Sequence, residues 1–513
     1  MPPAFDSILH PGPNAPNGAE AREPPDFFHE LNLDQVVATL THDWNDYGLE
    51  PFFYALPADL SVVVYRQEVG RDLEREPVMA CVQAFAERMR AMRRSLELSR
   101  TLDYRHEKER WFLDAALTYC EAVRGLTDGL RPLDLRSPGM QALRDYLVAY
   151  VAQPPFRALL ADAGRVAGDL AAIRYTLLLK DTSVTVMPYH GEADYTAAVE
   201  ASFEKFRRGP VTDYRSRFAD AGRLDHVEAQ VLERVAWLHP AAFAALDAFC
   251  EAHGDYQDPR IGRFDREVHF FVAYLSFAGR LKDAGLDFCY PELSATSKEI
   301  DVRGAFDLAL ASQLAAKGGV VVRNDVFLRG PERIIVVSGP NQGGKTTFAR
   351  MFGQLHYLAG LGLPVPGSAA RLYLCDRLFA HFERVEDIRT LRGKLQDDLV
   401  RIRQALDVAT PRSIVIMNEA FSSTTVHDAL FLSRRVLAAL SALDLLAVCV
   451  TFLDELATFD EKTVSMVSTV DSRDRTVRTF KLERRPADGL AYAVAIAEKY
   501  RVTYDALIRR IGA

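Results

Sequence analysis

Several kinds of sequence signal are scarce in this chain of 513 residues. The six cysteines are scattered without a C-x-x-C pair or a His/Cys cluster, so we expect buried thiols in a reducing cytoplasm. The longest apolar stretch, 445–453, is too short to cross a bilayer, and residues 1–25 lack the apolar core of a signal peptide. The formal net charge of -8 provides no overall positive field for nucleic acid. These absences predict a cytoplasmic protein without a membrane partner.

Composition and periodicity predict a multidomain globular protein. The chain is 49% hydrophobic and 26% charged, and its length allows about two to four domains. Residues 1–25, rich in Pro, Gly and Asn, are predicted to form a disordered tail. Apolar residues at helical spacing then recur through 26–290, which predicts an all-α region with one β-like run at 182–189.

The pattern changes near residue 291, where strand-like runs begin to alternate with helices. Such alternation is typical of an α/β domain with a mostly parallel sheet, here 291–513. The predicted strands are 319–322, 333–338, 372–382, 413–417, 445–451, 463–470 and 476–482.

A glycine-rich loop is the most specific motif of the sequence. It fits the phosphate-loop pattern G-x-x-x-x-G-K-[ST] between a β-branched run and an apolar-periodic helix, so backbone N–H groups and a helix start would face a phosphate chain. Lys345 would neutralise the β and γ phosphates, and the Thr346 hydroxyl would ligate Mg²⁺. The predicted phosphate-binding residues are Gly339, Pro340, Asn341, Gln342, Gly343, Gly344, Lys345, Thr346 and Thr347.

A second motif is an apolar strand that ends in polar side chains, 413–419. Asn418 and Glu419 fall at its carboxyl end, where α/β sheets bind ligands. An Asp-Glu pair is usual at such a strand end, with the Asp on Mg²⁺ and the Glu on the attacking water. Asn418 can still accept a hydrogen bond from a Mg²⁺-bound water, but it brings no negative charge. Glu419 is the candidate general base.

These motifs resemble the ATPase domain of the MutS family of DNA mismatch-repair and recombination proteins. The similarity includes the phosphate loop with its Pro-Asn pair, the acidic strand with the Ser/Thr-rich turn at 422–428, and a C-terminal helical segment at 490–513. The helical half is similar, more loosely, to the family's core and lever domains. The resemblance implies an ABC-type P-loop ATPase that binds ATP and Mg²⁺ and forms a homodimer through its ATPase domains and C-terminal helices.

The resemblance also implies a composite site that uses the partner's signature segment, here 391–399. Gly393 and Asp398 are its candidate residues, and Phe306 is a candidate platform for adenine. The sequence departs from the family at three positions: Asn418 replaces the metal-binding Asp, Phe452 replaces the histidine that senses the γ-phosphate, and Gly393 replaces the signature serine. We therefore expect nucleotide binding with slow hydrolysis.

Three features of the sequence concern DNA binding. Phe28-His29-Glu30 fits the family's mismatch-reading tripeptide, but the helical region follows at once, so we expect Phe28 to pack against the first helices and a mismatch-reading domain to be missing. A DNA-gripping clamp would be confined to 182–223. Two basic runs, 88–110 and 205–217, are candidate DNA contacts. Acidic residues interleave the first run, so we expect it to form a solvated helix face with ion pairs.

The prediction is a slow DNA-dependent ATPase in DNA repair or recombination that acts on structured DNA. The alternative is a nucleotide-gated dimeric scaffold that acts on a protein partner with negligible hydrolysis.

Overall fold

The computed structural model describes residues 5–12, 21, 23–57, 59–181, 183–192, 223–382, 393–471, 473, 477–487 and 504–511. Contacts divide the chain into two compact units, each discontinuous in sequence. Unit 1 comprises Met1–Phe5, Arg75–Leu135 and Gln141–Asp265, and unit 2 comprises Asp6–Glu74, Arg136–Met140 and Arg266–Ala513. These units do not coincide with the boundary expected at 290/291, because α-helical residues before Glu74 pack in the same unit as the later sheet. The domain boundary at 290/291 therefore remains a prediction from the sequence.

Helices dominate the first half of the chain and alternate with strands in the second. The described α-helices are α1 Leu33–Thr41, α2 Glu50–Tyr54, α3 Leu60–Leu73, α4 Glu76–Thr101, α5 Arg105–Leu130, α6 Pro138–Val151, α7 Pro154–Ala171, α8 His226–Leu238, α9 Pro240–Ala252, α10 Pro259–Asp283, α11 Leu308–Ala315, α12 Lys345–Gly360, α13 Lys394–Val408, α14 Val426–Ala442 and α15 Tyr504–Ile511. Short 3-10 helices cover His42–Tyr47 and Asp454–Thr458.

Strands occur in four sheets. The described strands are β1 Tyr175–Lys180, β2 Ser183–Pro188, β3 Phe288–Cys289, β4 Glu292–Ser294, β5 Ile300–Ala305, β6 Asn324–Leu328, β7 Ile334–Ser338, β8 Val365–Pro366, β9 Ala369–Tyr373, β10 Leu378–Phe382, β11 Ile414–Asn418, β12 Leu446–Val450, β13 Thr463–Val470 and β14 Arg478–Arg484. The combination of a helical region and mixed sheets confirms a multidomain organisation.

Unit 1 is built on the long helices α4 and α5, which pack along each other, and α7 and α9 pack against α5. The inner face of α5 carries fully buried apolar side chains at helical spacing, among them Leu113, Tyr119 and Val123. Helix α8 begins with a capping box, in which the Asp225 side chain accepts from the Glu228 N–H and Glu228 accepts from the Asp225 N–H. Strands β1 and β2 form an antiparallel hairpin with exposed apolar side chains.

Unit 2 is centred on a six-stranded sheet in the order β10-β11-β12-β7-β13-β14. All its neighbouring strands are parallel except β13 and β14, which pair antiparallel. Every residue of β7, β11 and β12 is buried, as expected for central strands covered on both faces. Helix α12 follows β7 and is buried from Met351 to Gly360. This arrangement places the ends of β7 and β11 at the same edge of the sheet.

Some of the expected strands were wrong. The run 319–322 is not a strand: Gly318 has φ 66 and follows α11 in an irregular connection, and the ladder begins only at Asn324, opposite Ala305. The run 372–382 is divided between β9 and β10, which belong to different sheets. Strands β1, β3 to β6 and β8 were not predicted.

Residues 5–12, which belong to the expected tail, are described and include buried side chains. Ile8 and Leu9 are buried, Ser7 donates to Glu267, and Arg66 Nε donates to the Leu9 carbonyl at 3.0 Å.

Among the described residues, no helix is both long enough and apolar enough to cross a membrane.

Candidate phosphate-binding site

The predicted glycine loop lies between β7 and α12, and its backbone conformation requires glycine. Gly339 has φ +109, and a Cβ at this residue would lie 2.9 Å from the backbone oxygen of Ser468 on β13. Gly343 donates its N–H to the Pro340 carbonyl at 3.2 Å, and its own carbonyl accepts from the Ser468 hydroxyl at 2.6 Å. Gly344, with φ +92, caps the start of α12. The loop therefore folds closely against β13 and directs the first turn of α12, with its unpaired N–H groups, towards the sheet edge.

Lys345 is the first residue of α12 and only 4% exposed. Its ammonium donates to the Gly339 carbonyl at 2.8 Å, to the Pro340 carbonyl at 3.3 Å and to Asn341 Oδ1 at 3.2 Å. Burial lowers the pKa of Lys345, while the carboxylates of Glu419 and Asp454 act in the opposite direction. The loop thus holds a largely buried cation among oxygen acceptors, and the carboxylates of Glu419 and Asp454 oppose the effect of burial on its pKa.

Thr346, near the start of α12, and Asn418, at the end of β11, are in contact. The Thr346 hydroxyl donates to Asn418 Oδ1 at 2.9 Å, and Asn418 is 9% exposed at the end of β11. A hydroxyl and an amide oxygen are hard, neutral ligands that suit Mg²⁺ when phosphate oxygens and water complete the shell. The donor set fits the metal, although neither residue contributes a negative charge.

Glu419 follows Asn418 and is half-buried. Its backbone has φ 52, in the left-handed region, and its N–H donates to the Val450 carbonyl at 2.9 Å. The neighbouring strand β12 leads to Thr451, whose N–H donates to Val337, and then to Phe452, which is 46% exposed. The ends of β7, β11 and β12 therefore bring Lys345, Glu419 and Phe452 to one edge, as the parallel register requires.

An apolar cavity of about 330 Å³ adjoins the loop at Gly344 and Thr347. The cavity is lined by Phe306, Phe480 and residues 320–322, among others. Phe306 is 2% exposed and makes an edge contact with Phe288, whereas Phe480 is 47% exposed. Phe306 is thus a buried wall of the cavity and Phe480 a half-exposed one.

The signature segment is described only from Gly393, and residues 391 and 392 lie outside the described residues. The same holds for 182 and 193–222 of the clamp interval and for 490–503 and 512–513 of the C-terminal segment. Gly393 caps α13, and no atom of the described residues lies within 4 Å of the position that a Cβ would take. Asp398 is half-buried and engaged by neighbours: it contacts His381 Nε2 at 2.9 Å and accepts from the Phe421 N–H at 3.1 Å. These two residues of one segment therefore have different surroundings.

The basic run on α4 and α5 is extensively ion-paired. Arg93 contacts Asp265, Arg105 contacts Glu109 and Asp247, and Arg110 contacts Asp114. The expectation of a helix face laced with ion pairs is confirmed for these three arginines. Residues 205–217 lie outside the described residues. Phe28 is 1% exposed and packs on Tyr54 and Tyr357, as expected for a core residue.

Several residues of the site were not found from the sequence. Ser468 and Arg478 contact the loop from β13 and β14, and Asn324 donates to the Phe480 carbonyl and accepts from the Leu482 N–H. Their partners are more than a hundred residues away along the chain, so only the sheet order brings them together. In the sequence, the only indication of these contacts is that each of the strands contains a polar residue.

The fold and the site together define a class of protein. It is a multidomain protein that holds a glycine loop and a buried lysine at the edge of a mostly parallel sheet, where the strands end. The description "MutS domain V" belongs to the family model that matches residues 335–507. DNA mismatch repair protein MutS from Erythrobacter litoralis is 27% identical over 323 residues, which is 60% of this chain and 36% of that protein. The protein of the same name from Azorhizobium caulinodans is 31% identical over 232 residues, 44% of this chain and 23% of its own.

Residues 335–507 of this chain therefore match the MutS domain V model, and about 60% of the chain is similar to a MutS-named protein. The matched segments span about a third or less of the length of these curated relatives, so the match concerns a part of the relatives and not their whole.

Proposed function

We propose that this protein binds Mg-ATP at the glycine loop and hydrolyses it slowly, in the service of DNA repair or recombination. The observation that carries the proposal is the convergence of Lys345, Thr346 and Asn418 at the start of α12. In that place the N–H groups of the loop and helix start bind the phosphate chain, and Lys345 exchanges its loop carbonyls for phosphate oxygens.

The apolar cavity beside the loop supports a nucleoside as the rest of the ligand. Its Phe306, Phe480 and valine lining matches the flat, apolar faces of a purine, and it opens at Gly344 and Thr347, where the phosphates begin. Asn324 is already engaged with β14, so it shapes the cavity through the position of Phe480. Adenine is the base that the MutS resemblance implies.

Mg²⁺ would be held by Thr346 and, directly or through water, by Asn418. When bound, the ion supplies charge neutralisation of the phosphate oxygens. Glu419 accepts the proton of the water that attacks the γ-phosphorus, as the bond from phosphorus to the ADP oxygen breaks. The products are ADP and phosphate.

Three features of the site predict slow hydrolysis. Asn418 brings no charge to the metal, Phe452 offers an exposed apolar ring where a hydrogen-bonding side chain would serve the γ-phosphate, and Gly393 has no side-chain hydroxyl. Loss of one transition-state contact of this kind costs about 10²–10³-fold in rate. Nucleotide binding does not require a charged metal ligand, a hydrogen-bonding side chain in place of Phe452 or a signature hydroxyl. We therefore expect ATP affinity to be retained while turnover is slow.

The homodimer, the composite site and DNA binding rest on the MutS family. The relatives are named DNA mismatch repair proteins, and structured DNA is proposed as the ligand of this chain. The alternative function is a nucleotide-gated dimeric scaffold with negligible hydrolysis and a protein partner. Asn418, Phe452 and the net charge of -8 favour that alternative.

The decisive experiment measures Mg-ATP binding by calorimetry in the wild type, Lys345→Ala and the control Lys317→Ala, an exposed lysine. We expect the first substitution to abolish binding and the control to leave it unchanged. Turnover is then measured with and without forked DNA at fixed salt, beside Glu419→Ala. DNA-stimulated turnover that Glu419→Ala removes supports the ATPase, and ATP binding without DNA affinity supports the scaffold. Absence of ATP binding in the wild type contradicts both.

A further inference from the structure

The turn that carries Glu419 has an unusual backbone. Glu419 has φ 52 and Phe421 has φ 63, so two residues with side chains occupy the left-handed region within three positions. That region is unfavourable for residues other than glycine, so the surroundings must hold the turn in place. The orientation of the Glu419 carboxylate therefore depends on the contacts that fix this turn.

Two backbone hydrogen bonds fix the turn on opposite sides. The Glu419 N–H donates to the Val450 carbonyl on β12 at 2.9 Å. The Phe421 N–H donates to Asp398 Oδ2 on α13 at 3.1 Å. The Phe421 ring is 1% exposed and belongs to the apolar cluster under the sheet, together with Met417 and Leu453. Val450 provides a backbone carbonyl, whereas Asp398 provides a side-chain oxygen, which a substitution can change.

Asp398 is itself fixed by His381. Asp398 Oδ1 lies 2.9 Å from His381 Nε2, and both side chains are largely buried. Because an ionised carboxylate only accepts, Nε2 carries the hydrogen of this bond. His381 is on β10, where its partner in the parallel register is Met417, two residues before Glu419. The pair therefore joins helix α13, the edge strand β10 and the turn.

Helix α13 is held by both apolar and polar contacts. Ile402 is its buried residue and belongs to the apolar cluster under the sheet, and Leu395 packs against the same cluster. A cavity of about 780 Å³ is lined by this helix and by strands β10 and β11, among other segments. Arg401 donates to the Phe382 carbonyl and pairs with Glu30. Polar contacts therefore supplement the apolar contacts of this helix.

We propose that Asp398 and His381 form a positioning pair for Glu419. The pair fixes the turn after β11 so that the Glu419 carboxylate faces the site of the attacking water. This assignment rests on the proposed hydrolysis of ATP. It also revises the role expected for Asp398, since both of its oxygens are engaged within its own chain. Of the two signature residues predicted to act on the partner's nucleotide, Gly393 alone has open surroundings.

The test uses the full-length protein with Asp398→Asn, and Asp407→Asn as a matched control on the same helix, where Asp407 pairs with Arg403 at the surface. Asparagine keeps the shape but accepts only one of the two hydrogen bonds. We expect kcat to fall about 10- to 100-fold, with the Kd for Mg-ATP changed less than about 3-fold, because displacement of a reacting group costs rate rather than binding. The control keeps the wild-type kcat.

A double-variant cycle separates positioning of Glu419 from a general structural role. If Asp398 acts through Glu419, the double variant Asp398→Asn with Glu419→Ala turns over as slowly as Glu419→Ala alone. Multiplied effects in the double variant, or an equal loss of ATP affinity in Asp398→Asn, would overturn the proposal.

Amide hydrogen exchange of the peptide that contains Phe421 provides a readout independent of turnover. The Asp398→Asn and His381→Ala variants should each exchange faster there than the wild type and the control, because the Phe421 N–H loses its acceptor or that acceptor loses its anchor. Unchanged exchange in both variants contradicts the positioning pair. If the wild type shows no turnover while the exchange shifts as expected, the proposed hydrolysis fails and the pair stands as the anchor of the turn.

Discussion

His356 is a buried histidine inside α12 whose contacts predict acid sensitivity. It is 2% exposed, its Nδ1 lies 2.9 Å from the Phe352 carbonyl, and burial lowers its pKa to about 4 from the usual 6.5. Below pH 6.5 this histidine is protonated in the unfolded chain, whereas in the folded chain it becomes protonated only near pH 4. The contribution of neutral His356 to the free energy of unfolding is therefore complete above pH 6.5 and is lost as the pH falls from 6.5 to 4.

The expected loss from this residue is about 3 kcal/mol across that interval. Urea unfolding between about pH 7 and 4 in the wild type and in His356→Leu measures it, and the variant should show the shallower pH dependence. His10, whose pKa is also lowered to about 4 by burial and by Arg66, leaves a residual slope in the variant. Equal slopes in the two proteins would contradict the account.

Single residues of the site differ in how far the sequence reveals them. Lys345, Thr346 and Asn418 were predicted because the motif spacing and the strand end fix them, and the structure brings them together. Phe480 and the His381 to Asp398 contact have no local signal, since their partners come from other strands and helices. Roles that depend on a distant partner therefore need the fold.

At the scale of elements, Gly339 tests the fit between the loop and β13. A methyl group at Gly339 would meet the Ser468 backbone oxygen at 2.9 Å and nitrogen at 3.0 Å, with φ at +109. The two backbone atoms of Ser468 cannot move without a shift of β13. Gly339→Ala should therefore displace the loop, lower the free energy of unfolding by about 1–3 kcal/mol and lower ATP affinity at least about 10-fold. Thermal unfolding and calorimetry measure both effects.

Gly330→Ala is the matched control, because Gly330 also has a positive φ, of 55, but no atom in the described part of the chain lies within 4 Å of the added methyl position. It should lose some stability through its backbone and keep its ATP affinity. ATP affinity at the wild-type level in Gly339→Ala would show that the contact with β13 does not shape the loop.

The same scale shows why some elements were predicted and others not. Strands β7, β11, β12 and β13 are continuous β-branched or apolar runs, and their predicted positions agree closely with the structure. The run 319–322 has a similar composition but follows Gly318 in an irregular connection, and strand pairing starts only at Asn324. Apolar composition identifies a buried strand only where a neighbouring strand exists to pair with it.

At the scale of the whole molecule, the sequence predicted a helical region and an α/β region but not the composition of the compact units. Unit 2 includes Asp6–Glu74, because the N-terminal stretch is held there by long-range contacts such as Ser7 with Glu267 and Arg66 with Leu9. Composition classed residues 1–25 as a tail, and no periodic pattern marks the few apolar residues that are buried. Contacts between residues so distant in sequence are beyond any local pattern.

We propose that this protein combines an intact phosphate loop with a weakened hydrolytic site. ATP binding and turnover should be compared in the wild type and in Asn418→Asp, which introduces a charge next to Thr346 at the end of β11. We expect comparable Mg-ATP affinity in both proteins and a turnover at least about 10-fold faster in the variant, because the carboxylate brings negative charge to the metal. A wild type that fails to bind Mg-ATP, or a variant that binds it and turns over no faster, would contradict this proposal.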